Sequence, residues 1–187
     1  MITGQSGAGK GTLIERLLEL FPQLELAVSA TTRARRPGEI DGIHYYFISD
    51  EEFDRRLEEG DFLEYHVFPW GQRSGTLVSE IERIGRDGNV CVLELETEGA
   101  LNVAERAPGA VTIFVTAPIE ELERRLTERA TESAGEIDER LRVAREQMAV
   151  AGRFDHIVVN DDLGRAVGEL SGLVRRFVVP AGTMPQQ

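Results

Sequence analysis

The residue with the clearest chemical potential is Lys10, the only lysine in a chain whose lysines and arginines total 21. It lies in a glycine-rich stretch, residues 4–12, in which four residues separate Gly4 from Gly9 and Lys10 follows directly. This spacing is typical of loops that bind phosphate groups through backbone N–H groups and a lysine. An ammonium is a compact charge that fits between phosphate oxygens, whereas an arginine fork is broad and planar. We therefore expect residues 4–12, the phosphate loop, to bind a nucleotide; the alternative is a glycine-rich turn without a ligand.

The phosphate loop departs from the common pattern directly after its lysine. Gly11 stands where a Ser or Thr is usual, and the hydroxyl comes one position later, at Thr12. A direct hydroxyl ligand for Mg²⁺ is therefore missing from its usual position. Because Mg²⁺ keeps several waters and binds phosphates and carboxylates, we expect it to accompany the nucleotide without direct side-chain ligation.

A second candidate anion site is the turn at residues 29–39, where Arg33, Arg35 and Arg36 fall within four positions. Like charges this close repel one another, so the cluster favours an anion between them. A phosphate group on a second substrate would supply that anion. The alternative is a solvated basic loop whose arginines pair with neighbouring acids.

The composition limits the classes of function. The 187 residues suffice for one domain with a buried core, and the net charge of −12 argues against nucleic-acid and membrane-surface binding. No apolar stretch reaches the roughly 20 residues of a membrane span, and the single Cys91 excludes an internal disulfide. We expect a cytoplasmic protein whose local arginines can still bind a small anion. The sequence does not indicate its oligomeric state.

The elements that must position these residues alternate between short β-rich runs and amphipathic helices. This alternation predicts an α/β fold with a parallel core sheet covered on both faces. Only three residues precede Gly4, so either the first strand is short or the natural chain begins upstream. The predicted core strands are 2–3, 26–29, 90–95, 111–116 and 156–159, and the predicted helices are 10–20, 119–129, 138–150 and 163–177.

Residues 29–76 interrupt this alternation. They hold the arginine turn, a predicted strand at 44–48, a helix at 49–59 and a strand at 62–68. Ser49 with Glu52 fits a capping box at the helix start, and Gly60 fits the helix end. We interpret the segment as an inserted lobe with its own mixed sheet.

A series of short motifs follows along nearly the whole chain. These motifs are S-A-T-T-R-A-R-R-P-G-E at 29–39, D-G-I-H-Y-Y-F at 41–47, F-L-E-Y at 62–65, S-G-T at 74–76, L-E-L-E-T-E-G at 93–99, R-A-T-E at 129–132 and V-N-D-D-L at 159–163. Their sequence and order resemble those of guanylate kinase, a family of nucleoside monophosphate kinases. The resemblance implies a P-loop NTPase-type three-layer fold with a five-stranded parallel core sheet from residues 1–28, 77–128 and 146–180. It also implies an α+β GMP-binding lobe at 29–76 and a small helical lid at 129–145.

The resemblance implies that the lobe binds GMP. Relatives most often have Tyr where this chain has Ser74, so we expect Ser74 to make a weaker or water-mediated bond to phosphate, for which Arg73 could compensate. The residues implied at the GMP phosphate are Arg33, Arg36, Tyr45 and Ser74, and those implied at the guanine are Ser29, Glu64, Thr76 and Glu96.

Glu64 also has a chemical reason to select guanine. Guanine presents N1–H and N2–H₂ side by side, and one carboxylate accepts from both. Adenine offers a lone pair at N1 and no amino group at C2. We therefore expect the Glu64 carboxylate to favour guanine over adenine by roughly 10⁴-fold. The alternative for Glu64 is an exposed charge on a strand.

The resemblance further implies that Arg129 and Arg140 are lid arginines. With Lys10 and Arg33 they would be the catalytic residues, spreading charge over the transferring phosphoryl group; the alternative is salt bridges on a helix surface. Asn160 would lie near the adenine or ribose. Thr12 and Glu94 could reach Mg²⁺ through water, and the usual proline of the loop is Gln5 here. The residues expected to contact ATP are Gly4, Gln5, Ser6, Gly7, Ala8, Gly9, Lys10, Gly11, Thr12 and Asn160.

These expectations converge on an enzyme that transfers the γ-phosphoryl group of ATP to GMP with Mg²⁺, giving ADP and GDP. One rival is a non-catalytic guanylate-kinase-like module that binds phosphorylated peptides. Such modules tend to have a degraded phosphate loop, so Lys10 and the lid arginines argue against it. The second rival is a kinase for AMP or for another phosphorylated metabolite.

Overall fold

The computed structural model describes residues 1–68, 71–128 and 134–178. The chain divides into two compact units: unit 1 is Met1–Pro22 with Pro108–Gln187, and unit 2 is Gln23–Ala107. The described strands are β1 (Ile2–Gly4), β2 (Leu24–Leu26), β3 (Ala30–Thr31), β4 (Tyr46–Phe47), β5 (Phe62–Val67), β6 (Arg73–Leu77), β7 (Val90–Val92), β8 (Ile113–Thr116) and β9 (His156–Val159). The described helices are α1 (Lys10–Leu20), α2 (Asp50–Glu58), α3 (Val78–Arg86), α4 (Thr97–Arg106), α5 (Ile119–Glu128), α6 (Ala134–Ala149) and α7 (Leu163–Phe177).

Unit 1 is built on a parallel sheet with the strand order β1-β8-β9. Every residue of the central strand β8 is buried, as expected for a parallel strand covered on both faces. Helix α1 packs against α7, and its apolar residues at i, i+1 and i+4 form the buried stripe of an amphipathic helix. The largest fully buried side chains of unit 1 are Leu13, Ile14, Leu17, Phe114, Val115, Leu122, Val158 and Leu170.

Unit 2 contains a parallel pair, β2 with β7, and a four-stranded sheet with the order β4-β3-β6-β5. In the second sheet β3 runs parallel to β4, whereas β6 runs antiparallel to both β3 and β5. The predicted mixed sheet is therefore present. Helix α2 begins where the Ser49 hydroxyl accepts a hydrogen bond from the Glu52 N–H, and the chain turns at Gly60 with φ +75°, as the capping pattern predicted.

Several predicted boundaries were wrong. The strand expected at 26–29 ends at Leu26, and a separate strand begins at Ala30, because these segments pair with different partners. The strand expected at 44–48 is limited to Tyr46–Phe47, since residues 40–45 form a turn closed by the bond from His44 N–H to the Ile40 carbonyl. Helix α6 begins four residues earlier than predicted, and α3 and α4 were not predicted.

The five predicted core strands correspond to β1, β2, β7, β8 and β9, three in unit 1 and two in unit 2. Their union in one five-stranded sheet stays a prediction.

Among the described residues, no helix combines the length and apolar composition that a membrane crossing requires. Burial raises the pKa of the Cys91 thiol to about 11, so the side chain stays a neutral thiol at neutral pH.

Candidate functional site

The phosphate loop connects β1 to α1, and two of its glycines are fixed by geometry. Gly4 has φ +145°, and a Cβ there would lie 1.9 Å from the Val115 carbonyl oxygen, so any side chain would collide with β8. Gly9 is the N-cap of α1 at φ +83° and provides no side-chain cap. The first N–H groups of α1 therefore have neither an intrahelical acceptor nor a capping side chain. This arrangement suits an anion at the helix N-terminus.

The ammonium of Lys10 lies over the same loop. Its Nζ donates to the carbonyl of Gly4 at 3.0 Å and to that of Gln5 at 3.3 Å. Within the described residues Lys10 makes no ion pair with a carboxylate. The positive charge is therefore held by two neutral acceptors, which phosphate oxygens can replace with a gain in Coulomb energy.

Two side chains that are distant in sequence hold the Ala8 carbonyl at the middle of the loop. Asn160 donates from Nδ2 at 2.7 Å and Arg125 from Nη1 at 3.2 Å. Arg125 also donates from Nη2 to the Asn160 carbonyl at 2.8 Å and from Nε to Glu121 at 2.7 Å. The structure thus places the Asn160 amide on the protein's own loop, and the contact with the adenine or ribose stays a prediction.

Gln5 points into the interior of unit 1 and is only 4% exposed. Its Nε2 donates to the Ala144 carbonyl on α6 at 2.9 Å. Its Oε1 accepts from the Ala117 N–H at 3.2 Å and from the Thr116 hydroxyl. Next to it, the Ser6 N–H donates to Oε1 of Gln147, also on α6, at 3.0 Å. The loop is therefore joined to the helix that carries Arg140, and the Gln5 side chain is used for that connection.

In unit 2 the arginine turn is organised by an internal carboxylate. Glu39 accepts from Arg33 Nη2 at 2.7 Å and Nη1 at 3.0 Å, and its Oε2 also accepts from the Arg36 N–H at 2.7 Å. These hydrogen bonds, above all those from Arg33, lower the pKa of Glu39 to about 2. The pairing with a neighbouring acid, which was the alternative to anion binding in this loop, is therefore present for Arg33. The exposed guanidinium of Arg36 makes no hydrogen bond within the described residues.

Tyr45 lies beside this ion pair. Its ring centroid is 5.3 Å from the Arg33 guanidinium carbon, and burial, more than any nearby charge, raises the pKa of its hydroxyl. Arg33 also lies 5.6 Å from the Phe47 ring. The structure thus brings Arg33 and Tyr45 together, as the resemblance implied, with a hydroxyl that stays neutral and can donate.

Two neighbouring side chains already have partners. The Ser74 hydroxyl donates to the Ala30 carbonyl at 3.1 Å, so its bond to a phosphate would require this contact to break. Arg73 pairs with Asp50 at 2.8 Å and with Asp54, and it lies 4.6 Å from the Phe53 ring. Its guanidinium therefore connects β6 to α2. This use of the Arg73 side chain argues against the idea that Arg73 binds phosphate to compensate for a weak contact from Ser74.

Glu64 on β5 lies opposite Thr76 on β6. Its Oε1 accepts from the Thr76 N–H at 3.1 Å and from the Thr76 hydroxyl at 2.9 Å. Burial raises the pKa of Glu64; the Thr76 hydrogen bonds oppose that rise, and the like charge of Glu96 adds a smaller increase. The half-buried carboxylate is therefore held by one oxygen, and its second oxygen faces Gly99 on α4. The alternative of an exposed strand charge does not fit this burial.

The predicted site residues thus form one group in each unit. Arg140 lies half-buried on α6, Ser29 is half-buried, and Arg129 lies outside the described residues.

The predictions missed Arg125, Gln147 and Gly99 as contributors to the two groups. An Arg four residues after Glu121 indicates only a helical ion pair, and nothing in the sequence distinguished Gln147 from an ordinary helix residue. Gly99 ends the motif at 93–99, but the motif did not indicate its contact with Glu64.

The side chains expected to reach Mg²⁺ through water lie in different units, and their role stays a prediction. Among the described residues, no three His, Cys, Asp or Glu side chains are grouped so as to hold a metal ion. Thr12 is exposed on the first turn of α1, and Glu94 is exposed in unit 2. A magnesium ion that arrives with a nucleotide would depend on phosphates and water for its inner ligands.

Comparisons with known proteins point to one family. A family model described as guanylate kinase matches residues 1–176. A guanylate kinase of Rubrobacter xylanophilus is 47% identical over 179 residues, which cover 95% of this chain and 93% of that protein. The guanylate kinase of Salinibacter ruber is 46% identical over 182 residues, 95% of each chain. A solved guanylate kinase from Anaplasma phagocytophilum has a TM-score of 0.75 and 29% identity, covering 94% of this chain and 84% of that chain.

Proposed function

Because the chain belongs to the guanylate kinase family, we propose that it transfers the γ-phosphoryl group of ATP to GMP and releases ADP and GDP. The observation that carries this proposal beyond the family is the carboxylate of Glu64, half-buried and fixed by Thr76. A carboxylate in this setting matches the paired N1–H and N2–H₂ donors of guanine.

Unit 1 supplies the ATP half of the proposed reaction. The phosphate loop offers the N-terminal N–H groups of α1 and the ammonium of Lys10, both complementary to a triphosphate. Asn160 and Arg125 hold the Ala8 carbonyl of the loop, and the loop residue Gln5 is bonded to Ala144 and Ala117. The loop is thus ordered in advance, and little conformational entropy is lost when the phosphates bind. Direct contact of ATP with the backbone of residues 4–12 is part of the proposal.

Unit 2 supplies the GMP half. Arg33, Arg36 and Tyr45 would bind the GMP phosphate, and Glu64 with Thr76 would bind the guanine edge. Ser29 and Glu96 are proposed to complete the guanine contacts, and Ser74 the phosphate contacts. The Arg33–Glu39 pair supports this role because it orients the guanidinium before any substrate is bound.

The chemical step needs no covalent intermediate on the protein, since a phosphate oxygen of GMP attacks the terminal phosphorus of ATP. The proposed catalytic residues are Lys10, Arg33, Arg129 and Arg140, which stabilise the negative charge on the transferring group. Mg²⁺ would supply further neutralisation of the phosphate charge, with Thr12 and Glu94 acting through water. We also propose the functional division into a core at 1–28, 77–128 and 146–180, a GMP lobe at 29–76 and a lid at 129–145.

The other functions considered are not favoured. A phosphopeptide-binding module has no need of a phosphate loop with its lysine and three supporting side chains. A kinase for AMP would place a negative carboxylate next to the N1 lone pair of adenine, which is repulsive.

A coupled assay that follows ADP production tests the proposal. With ATP and Mg²⁺, we expect turnover of GMP and dGMP. For AMP we expect a kcat/KM lower than that for GMP by roughly 10⁴-fold. Absence of GMP turnover in a folded protein that retains phosphopeptide binding would support the module instead. A preference for AMP would reject the role of Glu64.

A further inference from the structure

Gly99 is the third residue of α4, and it is buried against the end of the Glu64 side chain. A Cβ built at Gly99 would lie 2.6 Å from Oε2 of Glu64, 3.3 Å from its Cδ and 3.6 Å from its Cγ. No other atom comes among the nearest contacts of that Cβ. The three atoms nearest to a Cβ at Gly99 therefore all belong to the Glu64 side chain, and the nearest is a carboxylate oxygen.

The backbone of Gly99 does not itself require glycine. Gly99 is not among the residues with positive φ, and Gly is a poorer helix former than Ala. Local helix stability would thus favour Ala at this position. The reason for Gly must be the space that a methyl group would take from Glu64.

We infer that Gly99 is a specificity-determining residue. Because it has no side chain, the Glu64 carboxylate can pack directly against α4, in the position from which it binds guanine. Thr76 fixes Oε1 from one side, and Gly99 leaves room for Oε2 on the other. Gly99 acts through Glu64, so it is a positioning residue. This inference rests on the proposed function, because it assigns guanine as the group that Glu64 binds.

The second glycine near Glu64 has a different role. A Cβ at Gly75 would lie 2.7 Å from the Glu64 backbone oxygen and 2.8 Å from the Phe62 ring, so a substitution there would disturb the pairing of β5 with β6. At Gly99 the colliding atoms are the far end of a flexible side chain. A methyl group there is expected to move the carboxylate and leave the fold intact.

The test is Gly99→Ala, with Gly168→Ala as the matched control. Gly168 also lies within a helix, α7, and a Cβ there would have nothing within 4 Å. GMP binding is measured by calorimetry without ATP, and the KM for each nucleotide by the coupled assay. We expect Gly99→Ala to weaken GMP binding by roughly 10- to 100-fold, the effect of losing one charge-assisted hydrogen bond. We expect the KM for ATP to stay within about twofold, and Gly168→Ala to change neither.

A double variant separates the mechanism from its alternatives. In a Glu64→Ala background, Gly99→Ala should cause no further loss of GMP affinity, because the carboxylate that it displaces is gone. A full additional loss would mean that the methyl group meets the nucleotide directly, and the inference would be wrong. If Gly99→Ala alone destabilises the protein, removal of the Glu64 side chain should restore the thermal midpoint; failure to restore it also overturns the inference.

The outcome for the wild-type protein distinguishes the two proposals. A wild-type protein that does not bind or phosphorylate GMP rejects both the proposed function and this inference. A wild-type protein that phosphorylates GMP, together with a Gly99→Ala variant of unchanged GMP affinity, rejects the inference alone.

Discussion

The carboxylate of Glu39 holds the guanidinium of Arg33 end-on, through its Nη1 and Nη2 atoms at 3.0 Å and 2.7 Å. Nη1 also donates to the Ala34 carbonyl at 2.8 Å. The side edge of the guanidinium, formed by Nε and the second hydrogen of Nη2, makes no hydrogen bond within the described residues. Because an arginine binds phosphate through two parallel N–H groups, this edge is the one that we expect to meet GMP.

Replacement of Glu39 by Gln should loosen this orientation. The expected result is an increase of roughly tenfold in the KM for GMP, since Arg33 must then be ordered when the phosphate binds. The coupled assay measures it at saturating ATP. Glu19→Gln is the matched control, because it removes a carboxylate from an exposed ion pair with Arg16 at 2.8 Å. Equal KM values for the Glu39 variant and wild type would contradict the positioning role.

Replacement of Glu64 by Gln should reduce selectivity for guanine. Gln keeps one acceptor oxygen but loses the negative charge, so the two donors of guanine are no longer both matched. We expect GMP affinity to fall by roughly 10- to 100-fold while the KM for ATP changes little. For the wild type, IMP, which lacks the C2 amino group, should bind more weakly than GMP. Unchanged GMP affinity in the variant would remove Glu64 from the site.

GMP affinity should depend on the protonation of Glu64. Burial raises the pKa of this carboxyl above its ordinary value of 4.5, and only the ionised form accepts from both guanine donors. Affinity should therefore fall as the pH decreases through the raised pKa. The ligand-free protein should show the linked effect: the contribution of Glu64 to stability is fully present below pH 4.5 and is lost as pH rises through the raised pKa.

Calorimetric titration with GMP across this pH range measures the dependence. The control is Glu64→Gln, which should retain only the titration of the phosphate group itself, near pH 6. Identical pH profiles for the two proteins would show that Glu64 does not titrate in the site.

Replacement of Lys10 by Met should lower kcat by at least roughly 10²-fold, because it removes the charge that we propose to lie nearest the phosphates. The folded structure should persist, since within the described part of the chain the Lys10 ammonium donates hydrogen bonds to two loop carbonyls and to no other group. Circular dichroism and the thermal midpoint check the fold, and the coupled assay gives the rate. A near-normal kcat in the folded variant would refute a catalytic role for Lys10.

Replacement of Gln5 by Met should uncouple the phosphate loop from α6. Met has a similar volume but cannot make the bonds to Ala144 and Ala117, so we expect unfolding free energy to fall by about 1–3 kcal/mol. We also expect the KM for ATP to rise by roughly tenfold, because the loop must then be ordered by the nucleotide.

Gln147→Met is the companion variant for Gln5. Among the described residues the Gln147 side chain makes one hydrogen bond, from the Ser6 N–H, so its loss should have a smaller effect. GMP binding in the absence of ATP should not change in either variant. A destabilised Gln5 variant with a wild-type KM for ATP would show that Gln5 serves stability alone.

The sequence by itself determined the features that depend on neighbouring residues. The strand-loop-helix order around Lys10, the bounds of α1 and α7 and the Ser49 cap follow from glycine positions, apolar periodicity and a capping side chain within a few residues. The chemical types at the two sites, one lysine and a turn of arginines, were likewise readable from their spacing.

Only the tertiary structure decided which distant residues support these groups. Gln5 turns inward to α6, Arg125 joins Asn160 at the Ala8 carbonyl, and Gly99 makes room for Glu64. The predicted strand at 26–29 was replaced by β2 and a separate β3, because these segments pair with different partners. Strand β4 is shorter than predicted because residues 40–45 form a turn. Such contacts join segments far apart in the chain. Their partners are set by topology and packing, which local propensity and residue spacing do not predict.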